Sequence, residues 1–370
     1  MPANNRILIV GIFSKGSLGA SYASAFKDLG YDVSCFDYDE AYYRSGLLAT
    51  YRPLRRVFRW ALWSQMNRRT REVARSIRPA LILALKAPYL DPETIRDMRS
   101  LGTPVVNYYP DNPYCGVPWD PRKTSAQRHD LLDTLREYTR LWIWEPSLAA
   151  RLLRDKVCAD YMPFASDPAM YHPNDHTTSV GCQECIGDHD IVLIGQHNAK
   201  REAHIEAIRN HSVDLWGARW TRAATKFKSK HRVHRVSVFG TQVAKLYSTA
   251  AVSLNVVDDL NMPGHNMRTF EIPASGGVML STYTKEQADF FPEDEAACYY
   301  RTKEELDPKI DRLLEDRPFR ERIARNAMHI ASQHTYRERA ATMLQECGVG
   351  RSLEVVRGGT VVAASGRVIW

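Results

Sequence analysis

Residues 264–281 read GHNMRTFEIPASGGVMLS. Gly264 opens a turn, Arg268 and Glu271 sit on a short helix, Gly276 and Gly277 stop it, and an apolar strand follows. A helix start facing a cleft attracts anions, and a carboxylate one turn further in can hold a sugar hydroxyl. A cation and a carboxylate three positions apart share one helical face, an arrangement suited to a ligand with phosphate at one end and ribose at the other. The same spacing also suits a solvated ion pair on an amphipathic helix.

Outward from this stretch, strand and helix patterns alternate. Before it lie a strand at 191–194 ending on Gly195, a helix at 201–210, a strand at 213–216 ending on Gly217, a helix at 240–248 and a strand at 252–256. After it come helices at 303–314 and 318–346, with Pro273 expected to distort the last turn of the short helix. The N-terminal half shows the same rhythm. A strand at 6–12, the loop KGSLG, a helix at 20–29 and a strand at 32–36 are followed by strands at 80–85, 104–109 and 138–144, with helices at 92–101 and from Pro146. Strands separated by helices make parallel sheets covered on both faces. The expected class is α/β, with one unit over residues 1–165, a linker at 166–187, a second unit at 188–347 and a tail of short β segments at 348–370 to which no function attaches. Two such units leave a cleft, with ligands at the carboxyl ends of the strands. KGSLG lacks the full GxGxxG, and FDYDE after the second strand only faintly resembles a ribose-binding acid.

The chain has 370 residues, 44% hydrophobic and 25% charged, as in globular proteins. No apolar run spans a bilayer and Asn4, Asn5 and Arg6 lead straight into a strand, so a cytoplasmic protein is expected. Seven cysteines over this length do not form a disulfide framework. Cys182 and Cys185, near His172, His176 and His189, lack a second ligand pair, and Asp258-Asp259 lacks the spacing of a metal-binding DxD, so no metal is expected. The net charge of +7 concentrates at 52–78, where Arg52, Arg55, Arg56, Arg59, Arg68, Arg69, Arg71, Arg75 and Arg78 interleave with Val57, Phe58, Trp60, Leu62 and Trp63. Such a segment suits an anionic membrane surface or a nucleic-acid backbone, and equally a helix pair with a solvated basic face.

Residues 240–344 resemble the C-terminal domain of the spore-maturation (CgeB-like) group of GT-B glycosyltransferases. The likeness rests on Leu246-Tyr247, the run AAVSLN at 250–255, Arg268-Thr269-Phe270-Glu271, Ala274-Ser275-Gly276-Gly277, Glu305-Leu306, and His334-Thr335-Tyr336 with Arg339. Residues 79–101 and 105–111 are similar to the N-terminal half of the same proteins. The resemblance implies a GT-B fold of two Rossmann-like domains with parallel sheets facing a central cleft, and a glycosyltransferase that uses a nucleotide diphosphate sugar as donor substrate, without a cofactor. It implies that Glu271 contacts the ribose, that Arg268 and the backbone around His265 and Asn266 hold the diphosphate, and that the loop from Gly195 to Arg201 adds phosphate contacts through Arg201 and Lys200. Phe239 and Gly240 fall where this fold places the nucleobase. Related retaining enzymes carry a second glutamate eight positions before the ribose-binding one. Here that position is Pro263, which leaves inversion against retention open.

On the acceptor side, Asp111 at a strand end is the candidate general base, and as an Asp in a Pro-bounded turn it equally caps its own backbone. His197, after Gly195, is a candidate for a sugar hydroxyl or phosphate, or a surface histidine. Lys86 matches a lysine typical of the family without a derived role. The acceptor is a glycan, a lipid-linked glycan or a nucleic acid, and the 52–78 segment gives a peripheral contact with an anionic surface. The competing expectations are a nucleic-acid-binding protein using that segment and a nucleotide-sugar epimerase of the same fold.

Overall fold

A computed structural model describes residues 4–43, 51–115, 131–173, 190–220, 224–227, 230–234 and 236–349. The chain alternates strand and helix in two six-stranded parallel sheets.

The first sheet contains β1 (Arg6–Gly11), β2 (Asp32–Asp37), β3 (Leu81–Leu85), β4 (Val105–Tyr109), β5 (Arg140–Ile143) and β6 (Ala159–Tyr161), in the order β2-β1-β3-β4-β5-β6. Its connections carry α1 (Leu18–Asp28), α2 (Tyr38–Tyr43), α3 (Arg52–Ile77), α4 (Pro92–Arg99), α5 (Leu131–Arg136) and α6 (Pro146–Arg154). β3 and β4 are buried along their whole length, as strands covered by helices on both faces must be. The 52–78 stretch is one helix of 26 residues rather than a pair. The acid of FDYDE closest to β2, Asp37, accepts from the amides of Asp39 and Glu40 at 2.9 and 3.0 Å, which caps α2.

The second sheet contains β7 (Ile191–Ile194), β8 (Asp214–Trp216), β9 (Arg232–His234), β10 (Val252–Asn255), β11 (Met279–Thr282) and β12 (Cys298–Tyr300), in the order β12-β11-β10-β7-β8-β9. Its helices are α7 (Ala199–Ala207), α8 (Ala224–Phe227), α9 (Thr241–Thr249), α10 (Arg268–Ala274), α11 (Lys285–Phe290), α12 (Leu306–Glu315), α13 (Arg317–Ala331) and α14 (Tyr336–Glu346). α7 starts two residues earlier than the sequence pattern suggests because the Asn198 side chain accepts from the Arg201 amide at 2.8 Å. α10 ends as expected, with Gly276 at φ +77° after it.

One expectation is corrected. The apolar pattern at 318–346 is two helices, because Thr335 is extended (φ −111°, ψ 157°) and its side chain caps α14. The Pro-rich stretch at 163–173 packs against the second half where it meets α14. Phe164 and Ala165 are buried, and Ser166 exchanges backbone hydrogen bonds with His334 and Tyr336, each at 3.0 Å. α14 then returns to the first half, where the Tyr336 ring lies 5.1 Å from that of Tyr22 on α1. Burying side chains such as Trp142, Trp144, Trp216 and Trp220 stabilises the fold by about 2–3 kcal/mol each.

Candidate functional site

In the second sheet the strand order reverses between β7 and β10, and such a reversal opens a crevice at the carboxyl ends of the two strands. Gly195 follows β7 there. Arg268, the first residue of α10, reaches back across the crevice and its Nε donates to the Ile194 carbonyl at 2.6 Å. A methyl group on Gly195 would stand 3.1 Å from Arg268 Nη2 and 3.5 Å from Arg201 Cζ, so two guanidinium groups flank one short piece of backbone. Arg201 donates to the Gln196 carbonyl at 2.5 Å, and its carboxylate partner, Asp258, stays 3.8 Å away. Burial, reinforced by the neighbouring Arg268 charge, lowers the Arg201 pKa to about 10. Two cations held this close in a site of restricted water favour a ligand with adjacent negative charges.

Glycine at 217 makes this approach possible. Its φ is +136°, and a side chain there would meet the Gly195 carbonyl oxygen at 2.3 Å.

One turn beyond Arg268, the Glu271 carboxylate is buried and accepts a hydrogen bond from the Tyr171 hydroxyl. Burial pushes its pKa up, opposed by Arg268 and by that hydrogen bond. Arg268 also donates to the hydroxyl of Tyr247, a residue buried on α9.

Gly195, Arg268 and Glu271 line a cavity of about 280 Å³ whose far wall is Ala218, Phe239 and Gly240. A second cavity of about 540 Å³ adjoins it, and Gly16, Arg268 and Glu271 line both. These volumes fall in the range of small-molecule sites, roughly 300–1,000 Å³. The first half supplies much of the second cavity, including Ser17, Tyr38, Lys86, Asp111 and Phe164. Its loop after β1, the KGSLG run, bridges the halves: Gly16 has φ +81°, and a methyl on it would lie 3.4 Å from the Gly240 nitrogen.

The residues singled out in sequence divide into two groups. Gly195, Phe239, Gly240, Arg268, Glu271, Asn266 and Asp111 line one cavity or the other, and Arg201 packs against Gly195. His265, Lys200 and His197 line neither. The His265 ring is fully buried, accepting from the Phe164 amide at 3.0 Å and pairing with Glu286 at 2.8 Å. Lys200 pairs with Asp259 at 2.6 Å, which assigns both acids of the Asp258-Asp259 pair to cations of this loop. His197 pairs with Glu202 at 2.6 Å and stands edge-on to Trp220, so it stiffens the loop from behind. The Asn266 side chain exchanges hydrogen bonds with Asn255 at 2.9 and 3.2 Å. Cys182, Cys185, His176 and His189 lie outside the described residues, as does the 350–370 tail.

Sequence reasoning missed Tyr171 and gave no individual role to Tyr247, Gln196 or Lys86. Lys86 forms an ion pair with Asp111 at the rim of the larger cavity, and it and Ala87 are consecutive non-glycine residues in the left-handed region, at φ +56° and +41°.

No curated protein sequence matches the chain. Residues 200–345 match the glycosyl transferase-like family. Among solved structures, sucrose-phosphate synthase from Thermosynechococcus elongatus aligns with a TM-score of 0.65 at 14% identity, covering 92% of this chain and 98% of that one. A glycosyltransferase from Rickettsia africae aligns at 0.62 with 12% identity over 95% and 100% of the two chains. Anabaena HepE, solved with UDP-glucose, aligns at 0.60 with 12% identity over 92% and 99%. The chain has the GT-B glycosyltransferase fold, and that fold together with the glycosyl transferase-like match over residues 200–345 supports a glycosyltransferase.

Proposed function

We propose that the protein transfers a sugar from a nucleoside diphosphate sugar to an acceptor hydroxyl, with the donor on the 188–347 half and the acceptor approached from the 1–165 half. The observation that carries this reading is the pair Arg201 and Arg268 flanking Gly195, one helical turn from the buried Glu271. The RTFE and HTY runs favour the CgeB-like group within this fold.

In this reading the two guanidiniums hold the diphosphate, Glu271 exchanges its Tyr171 partner for ribose hydroxyls, and Phe239 and Gly240 bound the base. The sugar then points into the larger cavity, past Asn266 toward Asp111. When the bond from the sugar's anomeric carbon to the phosphate oxygen breaks, its electron pair leaves with the diphosphate. Arg201 and Arg268 neutralise that developing charge, so the proposed chemistry needs no metal. The acceptor oxygen bonds to the anomeric carbon and its proton passes to Asp111, which Lys86 positions. Two successive residues in a sparsely populated backbone region support a functional role for this rim, since such strain is costly. His265, Lys200 and His197 act from behind, through the loops they brace.

Calorimetric titration with UDP-, GDP- and dTDP-glucose tests the reading. At least one should bind, and Arg268→Ala should weaken it by about ten- to a hundredfold, the loss of charge-assisted hydrogen bonds. Absence of binding by all three sinks the proposal. UDP-glucose is the first donor to try, because HepE of the same fold was solved with it.

A further inference from the structure

The two halves of α3 differ in how far the body covers their apolar residues. In the C-terminal half, Leu62, Met66, Thr70 and Ala74 are buried at a spacing of four, the face laid on the body of the protein. In the N-terminal half the large apolar residues point outward: Val57 is 73% exposed, Trp60 57%, Phe58 41% and Leu54 37%. At 100° per residue Val57 and Trp60 lie roughly half a turn away from the buried row, while Phe58 and Leu54 continue that row one and two turns beyond Leu62, past the point where the body covers it. Residues 51–71 contain seven arginines and no Asp or Glu. The N-terminal half of the helix thus carries large apolar residues that the body leaves uncovered.

We propose that the N-terminal half of α3 docks the protein onto the surface of an anionic lipid bilayer. Exposed Leu, Val, Phe and Trp on a helical segment rich in arginine and free of acids are what a helix lying in the interface plane needs, rings and aliphatics inward and cations for the headgroups. Charge complementarity selects the occupant. A second copy of this face would bring the same arginines against one another, and exposed aliphatics such as Leu54 and Val57 contribute nothing to a sugar-phosphate backbone. No helix among the described residues is long and apolar enough to cross a membrane, so the contact is peripheral.

The docking half also connects to the cleft. Just past it, Trp63 Nε1 donates to the Tyr89 carbonyl, and Asn67 donates to the same oxygen at 2.8 Å. The Tyr89 ring lies 5.5 Å from that of Tyr38, which lines the larger cavity. Taken with the proposed transferase reading, on which this clause alone rests, the helix places the acceptor cavity beside the bilayer, where a lipid-borne acceptor hydroxyl would enter.

Flotation of the full chain with vesicles tests the docking. The protein should float with phosphatidylcholine vesicles containing roughly a third phosphatidylglycerol and bind pure phosphatidylcholine at least about tenfold more weakly. The double variant Val57→Ser/Trp60→Ser should lose at least about tenfold of the vesicle binding while keeping its thermal midpoint and its UDP-glucose affinity, because both residues are exposed and away from the cleft. Arg56→Gln/Arg59→Gln should weaken binding to the anionic vesicles selectively. Failure to float, equal flotation of the double variant, preference for double-stranded DNA over vesicles, or a dimer that the double variant dissolves would each overturn the proposal. Vesicle binding by a protein that ignores every nucleotide sugar would support the docking and contradict the transferase reading, so the two fail separately.

Discussion

Gly195 and Gly217 read alike in sequence, each closing a short apolar strand, yet their surroundings give them different requirements. At Gly195 the backbone is outside the left-handed region, and the nearest atoms to an added methyl are the guanidinium ends of Arg268 and Arg201. Gly195→Ala should therefore leave the thermal midpoint within a few degrees of the parent, while lowering donor affinity by about tenfold as the guanidiniums move. At Gly217 a methyl would require φ near +136° and would overlap the Gly195 carbonyl, so Gly217→Ala should cost about 2 kcal/mol or more, read by denaturant unfolding. An equal effect of the two substitutions on stability would show that the packing at Gly195 has been misjudged. The cation and carboxylate on α10 were legible because the local pattern of turn, helix and Gly-Gly stop frames them. Tyr171 was not, since it lies in a Pro-rich run without a period and reaches Glu271 only through the tertiary fold.

At the scale of elements, the pattern of alternation located most helices and strands, and its failures have local causes. β6, β9 and β12 have three residues each, too short to show a period, and β8, equally short, is marked only by the glycine that follows it. The break between α13 and α14 left a signal that periodicity overrode: Thr335 stands three residues before Glu338, a capping-box spacing, and its Oγ accepts from the Glu338 amide at 3.3 Å. Thr335→Val should destabilise the protein by about 1 kcal/mol, measured by chemical denaturation, through loss of that cap. The double character of α3 explains why its composition alone supported several readings. A single helix was hidden by apolar residues that the body covers along only half of it.

For the whole molecule, the second half grips the stretch that joins it to the first. Arg339, on α14, donates to the carbonyls of Pro163 and Phe164 at 3.1 and 3.2 Å, and the buried His265 ring accepts from the Phe164 amide. This accounts for the HTY run and its trailing arginine as a clasp between halves. His334 in that clasp has its pKa lowered from 6.5 to about 4, by burial first and then by Arg339 and His265. His231, behind β8, is lowered to about 4 by burial and by Lys230. For both, the unfolded chain takes up a proton at a higher pH than the folded one. Their contribution to stability is complete above pH 6.5 and is lost as the pH falls from 6.5 toward 4. The thermal midpoint should drop between pH 7 and pH 5, and His334→Gln, which keeps an acceptor for Arg339, should flatten that drop. A midpoint constant over this interval would contradict the buried neutral state of both rings.

In the proposed function the crevice between β7 and β10 holds a nucleoside diphosphate sugar on Arg268, Arg201 and Glu271. Titration calorimetry of UDP-glucose into the parent protein, Glu271→Ala and Arg268→Ala tests it most directly. Saturable binding to the parent is expected, weakened by about ten- to a hundredfold in each variant at an unchanged stoichiometry. Binding of equal strength to all three proteins would place the donor elsewhere and contradict it.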